Sequence, residues 1–234
     1  MGLAHSPRIV TDGLVLALDA NNSKSYSGSG TTWSDLSGNG NNATLTNNPS
    51  YLFNTVNKYY VFNFDGTDDY CTIASPSILN SMGSSNFTIS FWVYRQTLPP
   101  TGNGEMLYQS SDLNDGFVIC LSGSSFRVEL RDRQSTNGTV AGVSNIFTAD
   151  TWTNVVLVKN STTYTGYSQG ISKGSFTGYA DVSTTANFVD IGRVNWWGPS
   201  YWEGNIATVS AYNKALSAEE VQQNFNAVRG RFGI

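Results

Sequence analysis

Carboxylate side chains are the residues in this sequence that could support hydrolytic chemistry. Cleavage of a glycosidic bond needs two of them, because a general acid and a nucleophile or base must flank the same bond. The chain has five glutamates, and the candidate pair, Glu129 and Asp132, is spaced along a strand-like segment so that the two side chains lie on opposite faces. The only histidine, His5, lies in the N-terminal segment and leaves no base for a serine or cysteine nucleophile. The sequence therefore predicts a protein that is not an enzyme.

Oxygen-bearing side chains at two places could bind calcium. They recur at alternate positions from Asp35 to Asn41, and three aspartates follow closely at positions 65, 68 and 69. The same strings can instead cap their own turns through hydrogen bonds from side chain to backbone, and no glutamate follows at the distance of an EF-hand loop. Two alternatives stay open, no cofactor or one structural calcium ion. The candidate ligands of that ion are Asp35, Asn39, Asp65 and Asp68.

The aromatic cluster at residues 196–202, Trp-Trp-Gly-Pro-Ser-Tyr-Trp, is the most unusual local feature. Glycine and proline indicate a loop, in which three tryptophans are difficult to bury. Exposed aromatic rings stack on the apolar faces of sugars or fill a pocket of a partner protein. The alternative is that Trp202 packs beneath a sheet and the other rings cap the sandwich. With two rings from a neighbouring strand, the candidate contact residues are Trp92, Tyr94, Trp196, Trp197, Tyr201 and Trp202.

A β-sheet must position these residues, and residues 87–94 predict its central strand. Apolar residues alternate from Phe87 to Val93, and the intervening positions carry a mixed set that includes Trp92 and Tyr94. One face is therefore wholly apolar and the other is shaped for contact, which is typical of a sandwich. Further strand-like segments lie at residues 13–19, 59–64, 70–73, 105–109, 116–121, 126–131, 152–159, 188–192 and 204–212.

The connections carry their own signals. Aspartate and glycine at residues 65–69 predict a hairpin between segments 59–64 and 70–73, since both residue types tolerate positive φ. Residues 21–49 predict a long ordered loop held by Trp33, Leu36 and Leu45. Ser217 and Glu220 form a capping box that starts a C-terminal helix.

Composition bounds the class of protein. A chain of 234 residues with 13% charged residues, 13% aromatic residues and 23 glycines fits one all-β domain. Its net charge of −4, without a basic run, argues against nucleic acid as a partner. No segment has the length of a membrane span and the N-terminus lacks a signal-peptide pattern, so we expect neither membrane insertion nor export by the usual route. Cys71 and Cys120 could pair, but we expect two reduced, buried thiols.

Taken in order, several stretches resemble the laminin-G-like jelly rolls of the concanavalin A-like lectin and glucanase superfamily. They cover nearly the whole chain, at residues 13–20, 33–42, 64–70, 87–94, 152–159, 191–193 and 204–232. The resemblance departs at residues 164–170, YTGYSQG, where such proteins commonly have a Tyr-Val-Asn-Gly-like stretch. We therefore expect a displaced or weaker hairpin at that point.

The resemblance implies an all-β, two-sheet antiparallel jelly-roll sandwich with one short C-terminal helix and with its first strand paired near its last. Residues 1–12 would form an N-terminal arm and residues 13–234 a single domain. The sequence looks most like the stand-alone versions encoded by tailed bacteriophages, which implies a non-catalytic virion surface protein, as capsid decoration or as a tail or fibre component, assembled in the host cytoplasm. The expected partners are other virion proteins and a host surface glycan, in a homo-oligomer or a larger assembly. The alternative is a carbohydrate-binding, lectin-like module of a bacterial surface protein, and a glycoside hydrolase is less favoured.

Overall fold

The computed structural model describes residues 7–74, 84–98, 105–111, 116–122, 125–131, 139–178, 180–181, 187–194 and 200–234. Within these ranges the strands form two eight-stranded antiparallel sheets and a two-stranded ribbon. An α-helix and a 3-10 helix follow the last strand. The predicted two-sheet jelly-roll sandwich with a C-terminal helix is confirmed.

The first sheet is organised around the strand that the sequence marked as central. That strand, β7 (Phe87–Tyr94), pairs with β12 (Thr153–Asn160) on one side and with the last strand, β18 (Glu203–Tyr212), on the other. The first half of β18 also pairs with β5 (Tyr59–Asp65) and its second half with β1 (Leu14–Asp19), so the beginning of the chain pairs near its end, as expected. The strands of this sheet are β1 (Leu14–Asp19), β4 (Ser50–Asn54), β5 (Tyr59–Asp65), β7 (Phe87–Tyr94), β12 (Thr153–Asn160), β13 (Thr163–Ser168), β14 (Ile171–Thr177) and β18 (Glu203–Tyr212).

The second sheet contains a four-stranded antiparallel meander. Its order is β11-β10-β9-β8-β15-β6-β3-β2, so four consecutive strands lie side by side. The ribbon β16 (Arg193–Val194) and β17 (Ser200–Tyr201) follows β15. The strands of the second sheet are β2 (Thr32–Trp33), β3 (Ala43–Thr46), β6 (Tyr70–Ala74), β8 (Glu105–Ser111), β9 (Gly116–Ser122), β10 (Ser125–Arg131), β11 (Thr139–Val143) and β15 (Phe188–Ile191).

The main core lies between the two sheets. Alternate residues of β7, beginning with Phe87, point into it, together with Phe62 of β5 and Val155 of β12. Removing this apolar surface from water is the main stabilising contribution, at roughly 25 cal/mol per Å². Cys71 and Cys120 are both buried and free, which confirms the reduced assignment.

The opposite, outer face of the first sheet is partly covered by the C-terminal helix α1 (Ala218–Val228) and the 3-10 helix at Arg229–Phe232. Ser217 accepts a hydrogen bond from the backbone of Glu220, and the Glu220 side chain accepts one from the backbone of Ser217, which confirms the capping box. Val221 and Phe225 lie one turn apart and are buried against the sheet. Among the described residues, no helix is both long and apolar enough to cross a membrane.

The predicted hairpin at residues 65–69 is wrong. Strand β5 belongs to the first sheet and β6 to the second, so the turn between them crosses from one sheet to the other. The turn itself forms as expected: Asp65 accepts hydrogen bonds from the backbone of Thr67 and Asp68, and Gly66 adopts a φ of 74°. Turn residues fix a change of direction but do not determine that the flanking strands pair with each other.

Two other connections agree with expectation only in part. The segment at residues 21–49 contains β2 and β3, with Trp33 and Leu45 buried, whereas Leu36 is 38% exposed and does not hold the loop in the core. The hairpin at residues 164–170 forms, since β13 and β14 pair through a two-residue turn, but the register of the pairing shifts between Gly166 and Tyr167. Gln169 and Gly170 both have positive φ there, as a tight hairpin requires.

Candidate functional site

Two of the predicted contact residues lie in the interior. Trp202 is 0% exposed and packs edge-on against Phe147 in the core between the sheets. Trp92 is 2% exposed and is stacked against Phe225 of α1 and Phe232 of the 3-10 helix. The prediction of a surface contact is therefore wrong for both residues. The C-terminal segment covers the face on which Trp92 stands, and Trp202 packs beneath a sheet, which is the alternative that the sequence left open.

Tyr201 lies on the ribbon at the base of the predicted aromatic loop, and it is half-buried near Tyr70. The Arg193 guanidinium stacks 3.6 Å from the centre of the Tyr70 ring and donates two hydrogen bonds to the buried Asp190 carboxylate. Thr72 donates a third, at 2.6 Å, so this carboxylate is fully engaged. The structure thus shows how the ribbon is anchored. Trp196 and Trp197 lie outside the described residues, and their contact role stays a prediction.

The predicted calcium ligands fall into two separate places. Asp65 and Asp68 lie in the β5–β6 turn with Asp69, and ligand oxygens of these three residues lie within 4.8 Å of one another. Burial, followed by repulsion from the other two carboxylates, raises the pKa of Asp69, while the backbone N–H of Thr67 lowers the pKa of Asp65. The turn therefore concentrates negative charge, and calcium binding there stays a prediction.

Asp35 and Asn39 lie instead against strand β1. The Asp35 carboxylate accepts hydrogen bonds from the backbone N–H groups of Ala17, Ser37 and Asn41. The Asn39 amide donates to the carbonyl of Leu14 and to the Ser37 hydroxyl. These side chains join their own loop to the first strand, which is the self-capping alternative that the sequence left open.

Tyr94 is the predicted contact residue that the structure places beside a groove. Its ring is half-buried next to Trp152, and its hydroxyl donates to Asp150 at 2.7 Å, which raises the pKa of Tyr94. The groove, of about 360 Å³, lies at the end of the outer face that α1 leaves open. We call it the outer-face groove, and its lining includes residues 95–97 and the side chains of Leu52, Asn63, Asp65, Tyr94, Glu203 and Asn205.

Three polar groups form a row across the floor of the outer-face groove. Asn205 of β18 lies opposite Asn63 of β5 on one side and opposite Tyr94 of β7 on the other. Since neighbouring strands are about 4.8 Å apart, the row spans about 10 Å. The Asn63 amide donates to the Asn205 carbonyl oxygen at 2.8 Å. This bond leaves the Asn63 oxygen and the Asn205 amino group able to accept from and donate to a ligand.

A second row, of charged groups, forms the rim. Glu203 lies opposite Asp65 on the neighbouring strand, and its carboxylate accepts a hydrogen bond from Arg95 at 2.6 Å. The Arg95 side chain is 9% exposed and that of Glu203 is 60% exposed, so the guanidinium lies beneath and the carboxylate faces the groove.

Gly204 allows these two rows to form. It has a φ of 138°, and a Cβ at this position would lie 2.5 Å from the carbonyl oxygen of Tyr94. Only glycine therefore permits the close approach of β18 to the end of β7. The sequence analysis missed Asn63, Asn205, Arg95 and Glu203. The available signal was polar residues at alternate positions of β5, where Asn63 interrupts an apolar run.

The residues of the outer-face groove provide amides, carboxylates and one aromatic ring beside a bounded space. Such a set can hydrogen-bond to several hydroxyl groups of one ligand at once. Asp69 has a raised pKa but is 5% exposed and donates no side chain to the groove lining. The arrangement therefore suits recognition of a hydroxylated ligand.

Comparison with known proteins identifies the family. Residues 65–222 match the Laminin_G_3 family model of the concanavalin A-like lectin/glucanases superfamily. The chain therefore belongs to the Laminin_G_3 family. No curated protein matches the sequence.

Solved structures of similar fold include binding domains of botulinum neurotoxins. The receptor-binding domain of the C/D mosaic serotype aligns with 92% of this chain at a TM-score of 0.68 and 18% identity, and 51% of that chain is covered. The binding domain of neurotoxin DC in complex with rat synaptotagmin II aligns with 94% of this chain at a TM-score of 0.67 and 15% identity, and 52% of that chain is covered. A structure of neurotoxin type C, whose cell entry depends upon interaction with two ganglioside molecules, aligns with 94% of this chain. The TM-score is 0.65, the identity is 17%, and 52% of that chain is covered. This chain thus spans about half of each of those chains, and at these identities the likeness concerns the fold.

Proposed function

We propose that this protein is a non-catalytic, lectin-like recognition domain that binds glycans in the outer-face groove. The observation that carries the proposal is the row of Asn63, Asn205 and Tyr94 on three adjacent strands. Two amides in register, with their remaining hydrogen-bonding groups uncommitted, match the donor and acceptor pattern of neighbouring sugar hydroxyls. The Tyr94 ring beside them offers an apolar surface for the ring face of a sugar.

Membership of a lectin and glucanase superfamily supports this proposal, and so do the neurotoxin binding domains of the same fold. This chain covers about half of each of the three neurotoxin chains and is at most 18% identical to them, so the likeness concerns the fold. The geometry of the groove therefore carries the proposal.

The non-catalytic part rests on the carboxylates of the groove. A glycosidase needs one carboxyl group that stays protonated near neutral pH, which requires a raised pKa. The pKa of Asp65 is lowered by its backbone hydrogen bonds, and Glu203 is held in an ion pair with Arg95. Incubation with neutral and acidic polysaccharides should therefore release no reducing ends, and turnover that one Asp or Glu substitution abolishes would contradict this part.

Glycan binding can be tested with a glycan array and with the variant Asn205→Ala. Each lost hydrogen bond contributes about 0.5–1.5 kcal/mol net, so we expect binding of any array hit to weaken by about two- to thirteenfold. The matched control is Asn226→Ala on α1, which removes an asparagine outside the groove lining. Both variants should melt near the temperature of the native protein. Equal binding by the two variants would refute the assignment of the groove.

We also propose that the domain is carried on a bacteriophage virion, as a capsid decoration protein or as a tail or fibre component. The support is the resemblance of the sequence to the stand-alone members of the family that tailed bacteriophages encode. Repeated copies on a particle would raise the effective affinity of weak single sites for a host surface glycan. Antibody labelling of intact particles tests this proposal: label on the capsid supports decoration and label on tail tips supports adhesion. Label confined to a bacterial surface would instead support the alternative, a lectin-like module of a surface protein.

A further inference from the structure

The charged groups around the outer-face groove are mainly negative. Its lining includes the carboxylates of Asp65 and Glu203 and the guanidinium of Arg95. The hydroxyl of Tyr94 is bonded to a further carboxylate, that of Asp150. The lining thus carries two carboxylates and one guanidinium, and a third carboxylate lies next to it, in a protein whose net charge is already −4.

The cation is the group least available to a ligand. The Arg95 side chain is 9% exposed, and its Nη2 lies 2.6 Å from a carboxylate oxygen of Glu203. Its Nε donates to the Thr97 hydroxyl. Glu203 thus lies between this charge and the groove, and its backbone is fixed opposite Asp65 by the pairing of β18 with β5. A charge that is buried and already paired attracts a second anion only weakly.

We propose that the outer-face groove selects uncharged, hydroxyl-rich sugars and rejects sugars that carry a carboxylate, such as uronic and sialic acids. This inference rests on the proposed function and deepens it by naming the class of ligand. Sugar hydroxyls donate hydrogen bonds to the carboxylates of the rim, and bonds to an ionised acceptor are the stronger ones. A carboxylate on the sugar would accept only, and it would meet Asp65 and Glu203 at close range.

The test uses pairs of probes that differ by one carboxylate. Methyl glucoside is compared with methyl glucuronide, and methyl galactoside with methyl galacturonide, by saturation-transfer NMR at pH 7. A unit charge about 5 Å from a like charge in water weakens binding about fourfold, so the uronate of each bound pair should bind at least about fourfold more weakly. Raising the salt concentration to about 1 M, where the screening length falls to about 3 Å, should narrow that difference.

A variant of the rim sharpens the test. Glu203→Gln removes one of the two carboxylates of the rim and the repulsion that it exerts on a charged sugar, so the ratio of uronate to neutral-sugar binding should rise by about fourfold. The matched control, Asp12→Asn, changes the net charge equally near Lys214, beyond the far end of β18. It should leave the ratio at the native value. Melting curves of both variants confirm that they fold.

The outcomes separate this inference from the proposed function. Neutral sugars that bind more tightly than their uronates support it. Uronates or sialic acid that bind as tightly as, or more tightly than, the neutral probes overturn it while glycan recognition stands. The absence of binding by every probe and every array glycan overturns both.

Discussion

Phe232 closes the outer face of the first sheet, and Phe232→Ala tests how much this closure contributes to stability. The ring lies 4.4 Å from Trp92, 4.5 Å from Trp152 and 5.1 Å from Tyr59, measured between ring centres. Phe232 is 5% exposed. Truncation of a buried phenylalanine costs about 3–5 kcal/mol, and we expect about 3 kcal/mol because the short 3-10 helix can settle into part of the space. For a domain of this size, that loss lowers the melting temperature by about 6–12 °C.

Urea denaturation followed by tryptophan fluorescence measures this loss. Native fluorescence should also shift to longer wavelength, because Trp92 and Trp152 lose the ring that covers them. The matched control is Phe53→Ala, where the residue is 44% exposed and the expected cost is below about 1 kcal/mol. If the two variants lose the same free energy of unfolding and neither changes the fluorescence, Phe232 does not close this face and our account of the C-terminal segment is wrong.

Three further changes test other parts of the structure. Gly204→Ala should lower the free energy of unfolding by about 2–4 kcal/mol, because the new Cβ combines a positive φ with a 2.5 Å contact to the neighbouring strand. Urea denaturation should show a larger loss than for Gly28→Ala, since Gly28 has a positive φ but open space around it. Asp69→Asn should be more stable than the native protein at pH 7 and should lose this advantage near pH 3. Burial and the Asp65 charge raise the pKa of Asp69, so its ionisation destabilises the native protein as the pH rises. If millimolar calcium stabilises the native protein but not the variant, Asp69 is instead a calcium ligand. Trp197→Ala should barely change the melting temperature while weakening attachment to cells or particles, and a fall of several degrees with attachment intact would show that the ring is core packing.

The sequence correctly predicted those strands and helix ends whose local residue pattern is compatible with only one kind of element. Strict alternation from Phe87 to Val93 placed the central strand correctly, since a period of two forces those side chains to one face. The capping box at Ser217 placed the helix start for the same reason, because both hydrogen bonds are local. Long-range relations were less accessible. The turn at Asp65 forms as expected, yet it joins different sheets, and this depends on partners far away in the chain.

The aromatic residues show the same limit. The local pattern put Trp92 on the mixed face of its strand, which is correct, but nothing near it in sequence indicates that Phe225 and Phe232 cover that face. The cost of exposing a large ring, about 2 kcal/mol, is avoided here by burial within the same chain. Trp202, at the end of a stretch whose glycine and proline indicate a loop, is buried because the chain returns to the core at that residue.

Strand β18 shows why the groove itself was not visible in the sequence. The alternation that buries Val209 and Ala211 against the core would, if continued backwards, turn Asn205 inward as well. The register instead shifts between Ile206 and Thr208, so that Ile206 faces the core and Asn205 lies opposite Tyr94 on the outer face. One irregularity in the pairing thus spares the core a buried amide and supplies the outer-face groove with its central hydrogen-bonding residue. The packing of the sandwich and the composition of the site therefore depend on the same local shift, and a change that removed it should damage both.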